Sequence, residues 1–302
     1  MNMLGSLDYK MRHPFQDPDR VKQIHEKVEL LMEKERPNPE DFRGIVPDQQ
    51  IDKDIKNVTM LEKRWSERGD PEELEVKRKA DIAEYIIYKL LASWVNQKAI
   101  PLLSSKPDDY LRGIDLIIES DMPEDSGDKV NHLGLGIDIA LASEKKRSNS
   151  FKLKTEKVRE ILLSGMLDEA RYVSSGSYEG TIKNLPYLIL SVAPSHVEEL
   201  LSLASSRQVT EKEEGHILKH IVAYQIIRQL GSYYQFSEKM GRVEMSRSYA
   251  LALNLAHDLF GHLIDELKTR SELWERVSTD AGVQDIEGFC IELDEQKAFS
   301  QN

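Results

Sequence analysis

The chain has a single cysteine, Cys290, among 302 residues. That excludes an intramolecular disulfide and gives no zinc spacing. Aromatic residues make up 7% of the chain, and few of them interleave with basic residues as a base-stacking platform requires. No window approaches about 18 apolar residues, so no membrane-spanning helix is expected. The start, MNMLGSLDYKMRHPF, lacks a basic stretch followed by an apolar core, so no signal peptide is expected. The formal charge is −12, which argues against a wholly basic coat for nucleic acid but leaves room for a local basic field. There is no Walker pattern and no HExxH, and no Ser-His-Asp or Cys-His set can be assembled. What remains is 40% hydrophobic and 31% charged, ordinary for a globular chain and read here as cytoplasmic.

Three regions are expected. Residues 1–70 form a charged helical extension and linker, with an amphipathic helix in DRVKQIHEKVELLMEKE and a loop in RPNPEDFRGIVPDQQ. Residues 71–206 form an α/β core. Its first helix opens at Asp70, an N-cap followed by Pro71, Glu72 and Glu73. The helix should run to about Asn96, with Ala80, Ala83, Ile87, Leu90, Leu91 and Trp94 on one face and Glu84 at the rim of that stripe. A short strand near Leu102 is expected, then strands over 110–120 and 132–143, a helix in KTEKVREILLSGM, and a buried strand in LPYLILSVAP. Ser195 and Glu198 have the spacing of a capping box. Residues 207–302 form an α-helical region packed on the core, helical from Glu211 to about Val277, with a tail that carries no pattern.

Two of the strands share an unusual feature. GIDLII starts at residue 113, and GIDIAL follows 23 residues later at residue 136. Each sets one aspartate, Asp115 or Asp138, inside an apolar run. Alternation places Gly136, Asp138, Ala140 and Ala142 on one face, which leaves room for a ligand or for close helix packing. If the strands pair as a hairpin, both aspartates share a face. Buried carboxylates in proximity need a proton, an arginine or a divalent cation. Mg²⁺ or Mn²⁺ suits such oxygen ligands, and Glu84 is placed in sequence to join them.

A helix with an inward Glu84, a strand GIDLII, a strand GIDIAL, then helix and strand resembles the core of the PD-(D/E)xK (restriction-endonuclease-like) nuclease superfamily. The resemblance covers roughly 72–205 and implies an α-β-β-β-α-β sandwich with a mixed sheet. It implies Asp115 as the metal-binding aspartate, Asp138 as its acidic partner, Glu84 as the helix acid, and Mg²⁺-dependent cleavage of a phosphodiester. The lysine expected two residues after the second acid is absent, because Ala140 stands there. In some members that lysine moves to the next helix, where FKLKTEKV offers Lys152, Lys154 and Lys157. Lys154 and Lys157 lie four before Val158 and Ile161, so their stems follow the inward face.

The implied partner is nucleic acid, DNA in preference to RNA, through the basic 145–159 segment with Lys145, Lys146 and Arg147 at its start. Two other readings stand beside the nuclease. One is an inactive nuclease-fold module that binds nucleic acid or protein, which Ala140 favours. The other is a scaffold protein that forms homo-oligomers or takes a protein partner through its C-terminal helices. His216 and His220 have the four-residue spacing of metal pairs, but HILKH lacks the accompanying acid, so ordinary core or surface roles are expected for them.

Overall fold

The computed structural model describes residues 15, 17–68, 70–95, 99–121, 132–142, 149–176, 178–204 and 209–296. Two helices precede the core, α1 (Pro18–Glu35) and α2 (Asp48–Arg68). Asp17 caps α1 by accepting from the Asp19 and Arg20 N–H groups. The expected linker is in part structured. Pro39–Phe42 is a 3₁₀ turn capped by Asn38, and α2 begins inside what reads as loop. Phe42, Val46 and Ile51 form a small buried cluster with Tyr172 of the core, so burial orders a stretch whose prolines suggest a linker.

Helix α3 (Pro71–Trp94) starts as expected, with Asp70 accepting from Glu72 N–H at 2.9 Å. Its second half is buried almost all round, from Ile82 to Trp94, as befits a helix inside a core. Each fully buried Ile or Leu there contributes about 1.5–3 kcal/mol.

Next come β1 (Ile100–Leu103), α4 (Lys106–Arg112), β2 (Leu116–Asp121) and β3 (His132–Leu141). Residues 110–112, expected as strand, are therefore the end of a helix. Ser105 caps it, Pro107 sits in its first turn, and Gly113 ends it at φ +60°. Glycine takes that left-handed conformation without a Cβ penalty.

Helix α5 (Asn149–Ser164), β4 (Asp168–Ser174), β5 (Glu179–Leu185) and β6 (Tyr187–Val192) complete the core. The sheet order is β1-β2-β3-β6. β1, β2 and β3 are antiparallel neighbours, and β6 runs parallel to β3. A parallel return needs a crossover, which α5 provides together with the β4–β5 hairpin. That hairpin was not expected; its burial pattern is broken by register shifts, so alternation is a poor guide to it.

The remaining helices are α6 (Pro194–Glu199), α7 (Glu211–Glu214), α8 (Leu218–Lys239), α9 (Val243–Thr269), α10 (Ser271–Ser278) and α11 (Ala281–Gln296). The tail after Asp280 is thus helical over Ala281–Gln296. Ser195 forms no capping box: α6 starts at Pro194, behind Ala193, with no side-chain cap. A capping box occurs instead between Thr210 and Glu213 at α7. Among the described residues no helix is long and apolar enough to cross a membrane.

Helix α8 closes the β6 edge of the sheet. Gln225 accepts from Ser191 N–H at 2.9 Å and donates to Ser191 O at 2.8 Å. Gln229 does the same for Ile189, at 3.1 and 2.7 Å. Two side-chain amides thus stand where a neighbouring strand would pair, which satisfies the edge and blocks further pairing.

Candidate functional site

The β2–β3 register pairs Leu116 with Ile137, so one further step sets Asp115 opposite Asp138. Asp115 N–H donates to Ile137 O at 2.8 Å. Ile139 N–H donates to Asp115 Oδ2 at 2.6 Å. Both aspartates are buried.

The strand pair ends against α3 and α4. There, one carboxylate oxygen from each of Glu84, Asp109 and Asp115 lies within 4.8 Å of the others. Asp138 is not in this group of three. Arg36, just after α1, meets two of the three acids, with Nη2 donating to Glu84 Oε1 at 2.5 Å and Nη1 pairing with Asp109 Oδ2 at 2.9 Å. Burial pushes Glu84 well above the usual carboxylate range; Arg36 opposes this, and Asp109 and Asp115 reinforce it. Burial likewise pushes Asp109 up to about 7, again with Arg36 opposing and Asp115 adding. Burial works against the charge on Arg36 itself, but Glu84 and Asp109 outweigh it and raise its pKa.

Asp138 is engaged from the other side. Lys154 of α5 forms an ion pair with its Oδ1, and the Tyr187 hydroxyl donates to its Oδ2. Burial lowers the Lys154 pKa, while Asp115, Asp109 and Glu84 oppose the shift. Burial, then Asp115 and Asp168, push the Tyr187 hydroxyl well above its ordinary value. Lys157 is placed differently. It pairs with Asp168 at 2.8 Å, donates to the Arg112 carbonyl, and lies 3.8 Å over the Tyr187 ring. Its pKa is also lowered, first by burial. Gly113 backs onto this corner, where an added Cβ would sit 3.2 Å from Asp138 Oδ2.

The five residues singled out from the sequence therefore converge on one region, in two groups bridged by Asp115. The space expected at Gly136 is filled. A Cβ on Gly134 or Gly136 would meet Leu185 of β5 at 2.8 Å, so the glycines admit the hairpin rather than a ligand. Arg112 is committed to Asp108 at 2.9 Å and Asp54 at 3.4 Å. Asp108 also accepts from the Arg171 and Tyr172 N–H groups, both at 3.0 Å, which ties α4 to β4. In the basic segment, Lys152 is exposed and Arg159 pairs with Glu292 at 2.5 Å. Lys145, Lys146 and Arg147 lie outside the described residues.

Three contributors were not foreseen: Arg36, Asp109 and Tyr187. The cap signal of Ser105 and Pro107 marks a helix whose fourth residue is Asp109, and that spacing would have separated Asp109 from the strand. Arg36 carries no local signal.

The donor set fits a divalent cation. Four carboxylates, Glu84, Asp109, Asp115 and Asp138, against Arg36 and Lys154 leave two negative charges when all are ionised. Hard oxygen ligands suit Mg²⁺ or Mn²⁺, with bonds near about 2.1 Å for Mg²⁺. Glu84 and Asp109 hold their protons tightly when no such charge is supplied, as acids crowded in a low dielectric do. Compared with known proteins, the chain matches no family model, no curated protein and no solved structure.

Proposed function

We propose that this chain is a divalent-metal-dependent nuclease of the PD-(D/E)xK type, hydrolysing a phosphodiester of nucleic acid at the Glu84–Asp109–Asp115 cluster. One observation carries the reading: Lys154 reaches Asp138 from α5, and this supplies the cation that Ala140 cannot. The order α3-β1-β2-β3-α5-β6, with only the last strand pair parallel, supports a restriction-endonuclease-like core; α4 and the β4–β5 hairpin are additions to it.

In this reading Glu84, Asp109 and Asp115 hold Mg²⁺ or Mn²⁺. The chemistry a bound ion supplies is a water of lowered pKa and positive charge against the departing oxygen. Lys154, held on Asp138, presents N–H donors to the attacking water or to a phosphate oxygen. Tyr187 fixes the Asp138 carboxylate so that Lys154 keeps one position. Arg36 offsets part of the acidic charge and orients Glu84 and Asp109. DNA is the substrate preferred over RNA, with the 145–159 segment, including exposed Lys152, as its contact.

The test is nicking of plasmid and single-stranded DNA with Mg²⁺ or Mn²⁺. Asp115→Asn and Lys154→Ala should each lose about 10²–10³ in rate, the scale of removing one such stabilising group. Wild type and both variants behaving alike would remove catalysis from this site. A second reading, the inactive nuclease-fold module, is favoured by Arg36, which already gives Glu84 and Asp109 a cation. It expects no saturable Mn²⁺ binding by calorimetry, whereas the nuclease expects binding that Asp115→Asn abolishes.

A further inference from the structure

A second cluster lies away from the acids, where the chain leaves β6. One ring nitrogen from each of His196 and His216 and one Glu199 oxygen lie within 4.8 Å of one another. His196 and Glu199 are three apart on α6 and so share its face. His216 comes from the turn that leads into α8. The two imidazoles meet edge to face, with centroids 5.4 Å apart.

Two features bear on this cluster as a ligand site. His196 Nε2 lies 2.8 Å from Asp280 Oδ2, whereas its Nδ1 is buried with no hydrogen-bond partner. A carboxylate on one ring nitrogen fixes the tautomer and leaves a lone pair on the other, which is how metal-binding histidines are oriented. The second feature is the approach of the other two groups: His216 Nε2 lies 2.8 Å from Glu199 Oε2, so an imidazole and a carboxylate from two separate elements already meet.

We propose that His196, Glu199 and His216 form a site for a divalent transition metal, Zn²⁺ by ligand class. Imidazole selects Zn²⁺ over Mg²⁺ and Ca²⁺, and two histidines with one carboxylate leave a fourth tetrahedral position for water. The donors are His196 Nδ1, a Glu199 oxygen and His216 Nε2, and Asp280 is the positioning residue. Loading moves the remaining His216 ring proton to Nδ1. The 3.2 Å bond that Nδ1 accepts from Leu218 N–H is then lost, and that N–H, in the first turn of α8 on a fully buried residue, loses this acceptor. The metal clips the helix after β6 to the start of the helix that closes the β6 edge, so loading stabilises the fold. None of these residues belongs to the acidic site, and the proposal stands or falls apart from the nuclease reading.

The test uses the full chain carrying Asp115→Asn, which disables the acidic cluster, after treatment with chelator. Zn²⁺ is added in calorimetry and in thermal unfolding. One saturable site and a raised Tm are expected. Glu199→Gln and His216→Ala should each weaken binding at least about tenfold, and Asp280→Asn by about 10–100-fold through loss of orientation alone. Glu199 is 64% exposed in its side chain, so Glu199→Gln folds and decides the matter if His216→Ala does not. No saturable Zn²⁺ binding, or equal binding by the Glu199→Gln chain, overturns the site.

Discussion

At the scale of single residues, the acidic site is a problem of proton affinity. Glu84 and Asp109 bind protons more tightly folded than unfolded, because burial raises both. The unfolded Asp109 carboxyl titrates near 3.8 and the folded one at about 7. Between those values the folded chain holds more protons, so this contribution is complete at low pH and is lost as pH rises through about 7. With chelator present, the urea midpoint should fall from pH 5 to pH 7.5, and Asp109→Asn should flatten the slope. A slope unchanged by that substitution would place the proton elsewhere. Divalent-ion binding should strengthen over the same window, since the ligands must shed protons first. Asp115 and Asp138 were legible as candidates because each stands alone between apolar neighbours. Asp109 was not, because its value as a ligand depends on where α4 ends, and Gly113 decides that.

At the scale of elements, the sheet is built to stop at β6. Gln225 and Gln229 are spaced four apart on one face of α8, which matches their alternate targets Ser191 and Ile189 on the strand. Gln229→Leu keeps the volume but leaves Ile189 N–H and O unpaired, at a cost of about 1–3 kcal/mol for each group. Urea unfolding should show that loss, and hydrogen exchange should show faster exchange at Ile189 with little change in β2. Strand β6 was legible from its apolar run between prolines. The amide cap was not, since a glutamine in a helix reads as a surface residue until a strand edge is brought against it. The β4–β5 hairpin escaped for a related reason: Ile182 and Leu185 fill the space over Gly134 and Gly136, and nothing local in either segment announces the match.

At the scale of the whole molecule, the N-terminal helices complete the core rather than trail from it. Arg36 follows α1 and reaches acids on α3 and α4, and α2 contributes Asp54 to Arg171 at 3.0 Å and to the Tyr172 hydroxyl at 3.0 Å. Arg36→Ala should therefore act far beyond its own segment. Removing one partner from a buried ion pair costs about 3–5 kcal/mol, and the loss should be larger at pH 7.5 than at pH 5, where Glu84 and Asp109 are more protonated. Denaturant titration at both pH values checks this; equal losses would count against Arg36 as the counter-charge of the pair.

The sequence by itself determined a mixed α/β core, the Asp70 start of α3, the strands around GIDLII, GIDIAL and LPYLILSVAP, and the two aspartates, because caps, alternation and an acid in an apolar run are local signals. Only the tertiary structure decided that Arg36 and Asp109 join Glu84 and Asp115, that Lys154 rather than Lys157 takes Asp138, and that the small residues of β3 receive a hairpin. Those are meetings between side chains remote in sequence, and such meetings are set by how the elements pack, which no short window of the sequence contains.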